Sequence, residues 1–157
     1  PDNELVFKHK SGKFPRDIVQ PDFTGCFLVS IQFKAACHDN KLTGCSFEPV
    51  KILINDGNHL DTYSLLVVTG RSGPIDFNKS RITYELSKAG KYEIPMINGL
   101  YFDIATWDGS DFVIPSKSKG LFVTEKAQTQ LAKAELTNLE FVNQNEICFT
   151  KPPHFAI

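Results

Sequence analysis

Six consecutive residues, Asp56-Gly57-Asn58-His59-Leu60-Asp61, set two carboxylates, an amide and an imidazole around one glycine. Calcium takes carboxylate and carbonyl oxygens of this kind, so Asp56, Asn58 and Asp61 form a candidate metal-ligand set. A second acidic stretch, Trp107-Asp108-Gly109-Ser110-Asp111, would add Asp108 and Asp111 if both loops met at one end of the fold. The D-x-[DN]-x-[DN]-G pattern is absent, however, and no Glu closes the loop. Asp-Gly also has a sufficient structural task, because glycine supplies the positive φ of a tight turn. A turn is therefore the expectation and calcium the minority alternative; no other cofactor is expected.

The same two loops carry the strongest binding signal. Trp107, the lone tryptophan, differs in parity from Leu100, Phe102 and Ile104 and so faces away from their side of a strand. An aromatic ring beside polar groups suits a sugar or a protein surface. Trp107, Asp108, Asp111, Asn58 and His59 are the expected ligand-binding residues. Catalytic signals are weaker. Gly70-Arg71-Ser72-Gly73-Pro74 has proline where a nucleophile elbow needs its second glycine, and Ser116 and Lys119 match S-x-x-K only within a polar loop. His59 and Asp61 are the one acid/base pair close in sequence, with no nucleophile to serve. No catalytic residue is expected. The enzyme alternative is an all-β hydrolase using Asp56, Asp61, Asp103 and Asp108 as general acid and base.

Lys8, His9, Lys10, Lys13 and Arg16 gather around Phe7 and Phe14, and such a patch suits phosphate, sulfated glycan or anionic lipid. A solvated strand end explains it as well. The formal net charge is -1, which gives no general attraction to nucleic acid. No apolar run approaches the ~18 residues of a membrane helix, and Pro1-Asp2-Asn3-Glu4 is acidic where a signal peptide would be basic.

Strands must position these residues. Phe27, Val29, Ile31, Phe33 and Ala35 alternate with Leu28, Ser30, Gln32 and Lys34, the period that buries one face of a strand. Val50, Ile52 and Ile54 repeat it, and Ser64–Thr69 is apolar on both faces, as an interior strand would be. Residues 70–74 read as a Gly/Pro break. Ile82, Tyr84 and Leu86 alternate next. Asn98-Gly99 predicts a hairpin joining Tyr92, Ile94 and Met96 to Leu100, Phe102 and Ile104, with Pro95 at an edge or bulge. Ala127, Leu131, Ala134 and Leu139 predict one short helix near 125–138, after which Ile147 and Phe149 resume a strand. No internal repeat or linker stands out. Eight or nine strands, with turns every ~8–12 residues, predict one all-β domain over 1–157. An antiparallel β-sandwich is the expected form, and a closed β-barrel the alternative.

Four cysteines complete the picture. Cys26 and Cys148 share outward parity and would bridge if their strands were neighbours, and Cys37 and Cys45 bracket a polar loop that a second bridge would close. Two disulfides imply an extracellular, cell-surface or periplasmic setting. The composite expectation is a secreted, non-catalytic recognition module, adhesin-like, lectin-like or effector-type. It would bind glycan or a partner protein through loops and have a context in virulence. A structural subunit of a surface assembly is the third alternative, with an open sheet edge accepting a neighbour's strand.

Overall fold

Apolar alternation is densest in residues 27–30, 45–53 and 63–68, and these runs form the centre of the largest sheet. The computed structural model describes residues 5–10, 16–22, 25–54 and 57–150. Its elements are β1 (Leu5–Lys8), β2 (Ile18–Val19), β3 (Phe27–Ser30), α1 (Ile31–Asp39), β4 (Cys45–Leu53), β5 (His59–Leu60), β6 (Tyr63–Val68) and β7 (Gly70–Pro74). Then follow β8 (Arg81–Leu86), β9 (Glu93–Asn98), β10 (Phe112–Ser116), β11 (Phe122–Val123), α2 (Glu125–Lys133) and β12 (Cys148–Thr150). The first sheet has the order β1-β4-β6-β3-β2, with β5 paired to β4; the others run β11-β10-β7 and β12-β9-β8. The fold is thus mainly β with two short helices, and no closed barrel forms among the described residues.

By density of contacts the chain divides into two compact units. The first comprises residues 1–71, 108–114 and 119–140, and the second 72–107, 115–118 and 141–157. In the first, Leu28, Val50, Ile52 and Tyr63 form a buried cluster against which Phe7, Val19, Leu60 and Leu65 pack. β6 lies between β3 and β4, as an interior strand should. β1 runs parallel to β4, with Leu5 opposite Val50.

The run from residue 27 does not remain a strand. It turns into α1 at Ser30, whose hydroxyl accepts from the Phe33 amide. Phe33 and Cys37, one helical turn apart, are both buried. Alternation at 27–33 is compatible with either period over so few residues, and the serine N-cap together with the i, i+4 pair decides for helix. The Phe33 ring meets Phe47 at 6.5 Å and Phe112 at 6.3 Å between centroids. The second helix begins where the sequence placed it and ends at Lys133, short of the expected 138, with Ala127 and Leu131 buried and Thr124 as N-cap.

Two other expectations fail for identifiable reasons. Asn98-Gly99 does not close a hairpin, because both edges of β9 are already taken, one by β8 and the other by β12. Residues 104–106 form a 3₁₀ turn instead. Gly70–Pro74 is not a break but a strand. A Cβ at Gly70 would lie 2.1 Å from the Phe112 carbonyl oxygen, so glycine there permits a close backbone approach.

Asp17 fastens a distant turn to this sheet. It is 8% exposed. One carboxylate oxygen accepts from the Ser30 hydroxyl at 2.6 Å, and the other from the amide and hydroxyl of Thr137, each at 2.7 Å. The Asp17 amide in turn donates to Thr137 Oγ1. Burial opposes ionisation, but the Ser30 hydroxyl and the Thr137 amide outweigh it and hold the carboxyl below the ordinary aspartate range. Beside it, the Asn138 side chain bonds both the amide and the carbonyl of Ile18, occupying the outer edge of β2 as a strand would.

Candidate functional site

The loop residues singled out by chemistry separate into different roles. Gly57 sits at φ 85° within a turn in which the Ile54 amide donates to the Asn58 carbonyl and the Gly57 amide to that of Ile54. Asp56 lies outside the described residues. His59 Nε2 stands 3.2 Å from Asp61 Oδ2, both side chains well exposed. No group of three or more His, Cys, Asp or Glu that could hold a metal occurs among the described residues. The geometry of this stretch is that of a turn.

Trp107 ends the 3₁₀ turn and is half-buried; its amide donates to the Ile104 carbonyl. Asp103 starts that turn by accepting from the Ala105 amide. Asp108 is exposed and accepts from the amides of Ser110 and Arg71, which hold its carboxyl below the usual range. Gly109, at φ 83°, lets the chain bend there. Asp111, by contrast, is buried, its side chain 8% exposed. One carboxylate oxygen accepts from the Thr43 amide (2.9 Å), the Thr43 hydroxyl (3.1 Å) and Lys126 Nζ (3.0 Å). The other accepts from Thr124 Oγ1 at 2.8 Å. Burial opposes ionisation, and the Thr43 amide, Lys126 and the two hydroxyls more than offset it, so the carboxyl titrates low. These bonds commit Asp111 to the interior, whereas Asp108 faces solvent.

The cysteines carry free thiols. The bridge between Cys26 and Cys148 presupposed neighbouring strands, but β3 lies between β2 and β6 while β12 pairs with β9. Cys37 and Cys45 do face one another. The hydrogen bond between these two thiols pushes Cys37 up, as does burial, and pulls Cys45 down. Disulfide formation at either pair is thus absent from the structure, and with it the support that bridging gave to a secreted setting. In the basic stretch, Lys10 pairs with Asp22 at 2.6 Å, both side chains exposed. Lys13 and Phe14 lie outside the described residues.

A feature that parity alone concealed is the hairpin of β8 and β9. Ile82, Tyr84 and Leu86 do share a face, together with their cross-strand partners Ile97, Pro95 and Glu93. Ile97 is 2% exposed, but Tyr84 and Leu86, further along the same face, are 65% and 70% exposed. Among the described residues β12 pairs with β9 from Met96 to Asn98, at the end of the hairpin away from its tip. Towards the tip the same face carries exposed side chains in place of buried ones. Ser87 shapes the tip: its amide donates to the Tyr92 carbonyl, and its buried hydroxyl accepts from the Lys91 and Tyr92 amides. Tyr92, 64% exposed, stands at the same tip. Glu85, Lys88, Lys91 and Glu93 are exposed around it, a mixed-charge border to an apolar centre. Two tyrosines and a leucine near a hairpin tip were the available signal. Strand alternation put two of them on one face with Ile82, and alternation does not say where along a face burial ends.

Comparison with known proteins gives one result of substance. The model of the family described as Immunity protein family (Imm11) matches residues 2–146. No curated protein matches the chain.

Proposed function

We propose that the chain, which belongs to the immunity protein family Imm11, protects by binding a protein toxin, and that the β8–β9 hairpin is a principal contact. An immunity protein has a protein partner, so the loop-bound glycan of the wider expectation receives no support from the family. The observation that carries the site is the exposure of Tyr84 and Leu86 on β8, an edge strand among the described residues, with Tyr92 at the hairpin tip. Exposed apolar side chains grouped in one place mark protein contacts. Tyrosine is enriched among residues that dominate binding energy, since it supplies a large apolar area and a hydroxyl at low entropic cost. The outer edge of β8 offers main-chain amides and carbonyls to an extended segment of the partner, while the tyrosines give the contact selectivity.

The test is co-expression of the chain with the toxin it protects against. The native chain restores growth and forms a stoichiometric complex in light scattering. Tyr84→Ala with Leu86→Ala weakens binding by roughly 30-fold or more, the size expected when a central aromatic contact is lost. Melting should move little, because both side chains are in solvent. Unchanged growth rescue and affinity in the double variant would remove the hairpin from the interface.

A further inference from the structure

We infer that residues 17–44 and 111–138 are two copies of one structural module, and that the copies exchange their terminal turns so that each completes the other's buried aspartate. The repeat is legible once the bonds are compared. Asp17, Ser30 and Thr43 stand 94 positions before Asp111, Thr124 and Thr137 respectively. At that offset Val19 matches Val113, Pro21 matches Pro115, Val29 matches Val123 and Leu42 matches Leu136.

The geometry repeats in step. β2 pairs with β3 through Ile18–Val29 and Val19–Leu28, and β10 pairs with β11 through Phe112–Val123 and Val113–Phe122, the same register 94 residues on. Each second strand leads into a hydroxyl residue, Ser30 at the end of β3 or Thr124 just after β11, that caps a nine-residue helix by accepting from the third helical amide, of Phe33 or Ala127. Each helix closes in a turn with two left-handed residues at matching places: Lys41 at φ 51° and Glu135 at φ 51°, then Gly44 at φ 78° and Asn138 at φ 54°. Non-glycine residues adopt that region reluctantly, so its recurrence at matching positions is strong evidence of a shared design.

The hydrogen bonds then cross over. In each copy the aspartate carbonyl accepts from the N-cap amide, and its carboxylate accepts from the N-cap hydroxyl of the same copy. The remaining carboxylate oxygen accepts from a threonine amide and hydroxyl of the other copy: Thr137 for Asp17, Thr43 for Asp111. Both threonine hydroxyls also accept from the aspartate amide they serve. α1 and α2 pack against each other, bringing the two turns across. The copies differ in the Lys126 bond, which only Asp111 receives, and at the entry to the first strand. Phe112 N donates to the Thr43 carbonyl, while its counterpart Ile18 N donates to the Asn138 side chain. At position 44 glycine stands because a Cβ would lie 2.3 Å from the Phe112 carbonyl oxygen.

The exchange is tested by double-mutant cycles on the full chain, read as melting temperature. Asp17→Asn should be non-additive with Thr137→Val and additive, to about a degree, with Thr43→Val; Asp111→Asn should show the reverse pairing. Coupling of an aspartate to the turn threonine of its own copy, or none across copies, overturns the exchange. Equivalence of the copies has a separate readout that does not depend on the aspartate variants folding. Lys41→Gly and Glu135→Gly should each raise the melting temperature, by about 1–3 °C, because glycine removes the left-handed penalty at both positions. A fall in either one overturns the equivalence.

Discussion

Asp111→Asn is the sharpest test of how the first unit is held together. The carboxylate accepts four bonds, and two come from groups that can only donate, the Thr43 amide and the Lys126 ammonium. Asparagine must keep its oxygen toward those donors, which turns its NH₂ toward Thr124 Oγ1, a hydroxyl that already accepts from the Ala127 amide. Geometry survives but charge does not. Hydrogen bonds to charged groups contribute ~1.5–3 kcal/mol and neutral ones ~1 kcal/mol, so converting several of them costs about 3 kcal/mol. For a chain of this size that lowers the melting temperature by roughly 6–12 °C. Lys126→Met is the control: its side chain is 53% exposed, so the ion pair by itself contributes under about 1 kcal/mol. Thermal melts followed by circular dichroism at neutral pH read both variants. An asparagine variant melting within about 2 °C of the native chain, or a methionine variant equally destabilised, refutes the amide-and-hydroxyl cage.

Further outcomes follow from the same contacts. Asp17 and Asp111 both titrate below their unfolded value of ~3.9, so their stabilisation is complete above that pH and is lost as pH falls from there through the folded values; acid melts should show stability flat near neutrality and falling below about pH 4, and Asp17→Asn should flatten that fall. Gly70→Ala should destabilise by about 1–3 kcal/mol or more in urea titration, since its Cβ meets the Phe112 carbonyl oxygen at 2.1 Å; a neutral result would show that the backbone there yields. Timed alkylation with mass readout should modify exposed Cys148 first and Cys37, at 1% exposure, only on unfolding; early labelling of Cys37 would contradict its place on the buried face of α1.

Much was legible in the sequence where one physical rule acted alone. The run 64–69, apolar on both sides, falls on the interior strand Tyr63–Val68 because a chain buried on two faces has no polar side to show. Ala127 and Leu131 mark the inner side of α2 because helical spacing stacks them, and Gly57 turns the chain because only glycine takes that φ freely. The family match further agrees with a protein-binding reading while giving nothing to a sugar-binding one. Where two rules competed, the outcome was lost. Residues 27–35 satisfy strand alternation, yet Ser30 caps a helix within them. Asn98-Gly99 has hairpin chemistry, yet β12 had already filled the edge that a hairpin partner needs.

The sequence by itself determined the mainly β character, the second helix and the interior strand, since these depend on side-chain periodicity and on backbone freedom within a few residues. Tertiary structure alone decided which aspartate is interior and which is in water. Asp108 and Asp111 are three residues apart and chemically identical, and only the return of Thr43 and Lys126 from elsewhere in the chain separates them. It likewise decided that Tyr84 and Leu86 face solvent although Ile97, which shares their face opposite Ile82, is buried. Burial is a property of what comes to lie against a residue, and periodicity names a face without saying how far along it the rest of the chain reaches.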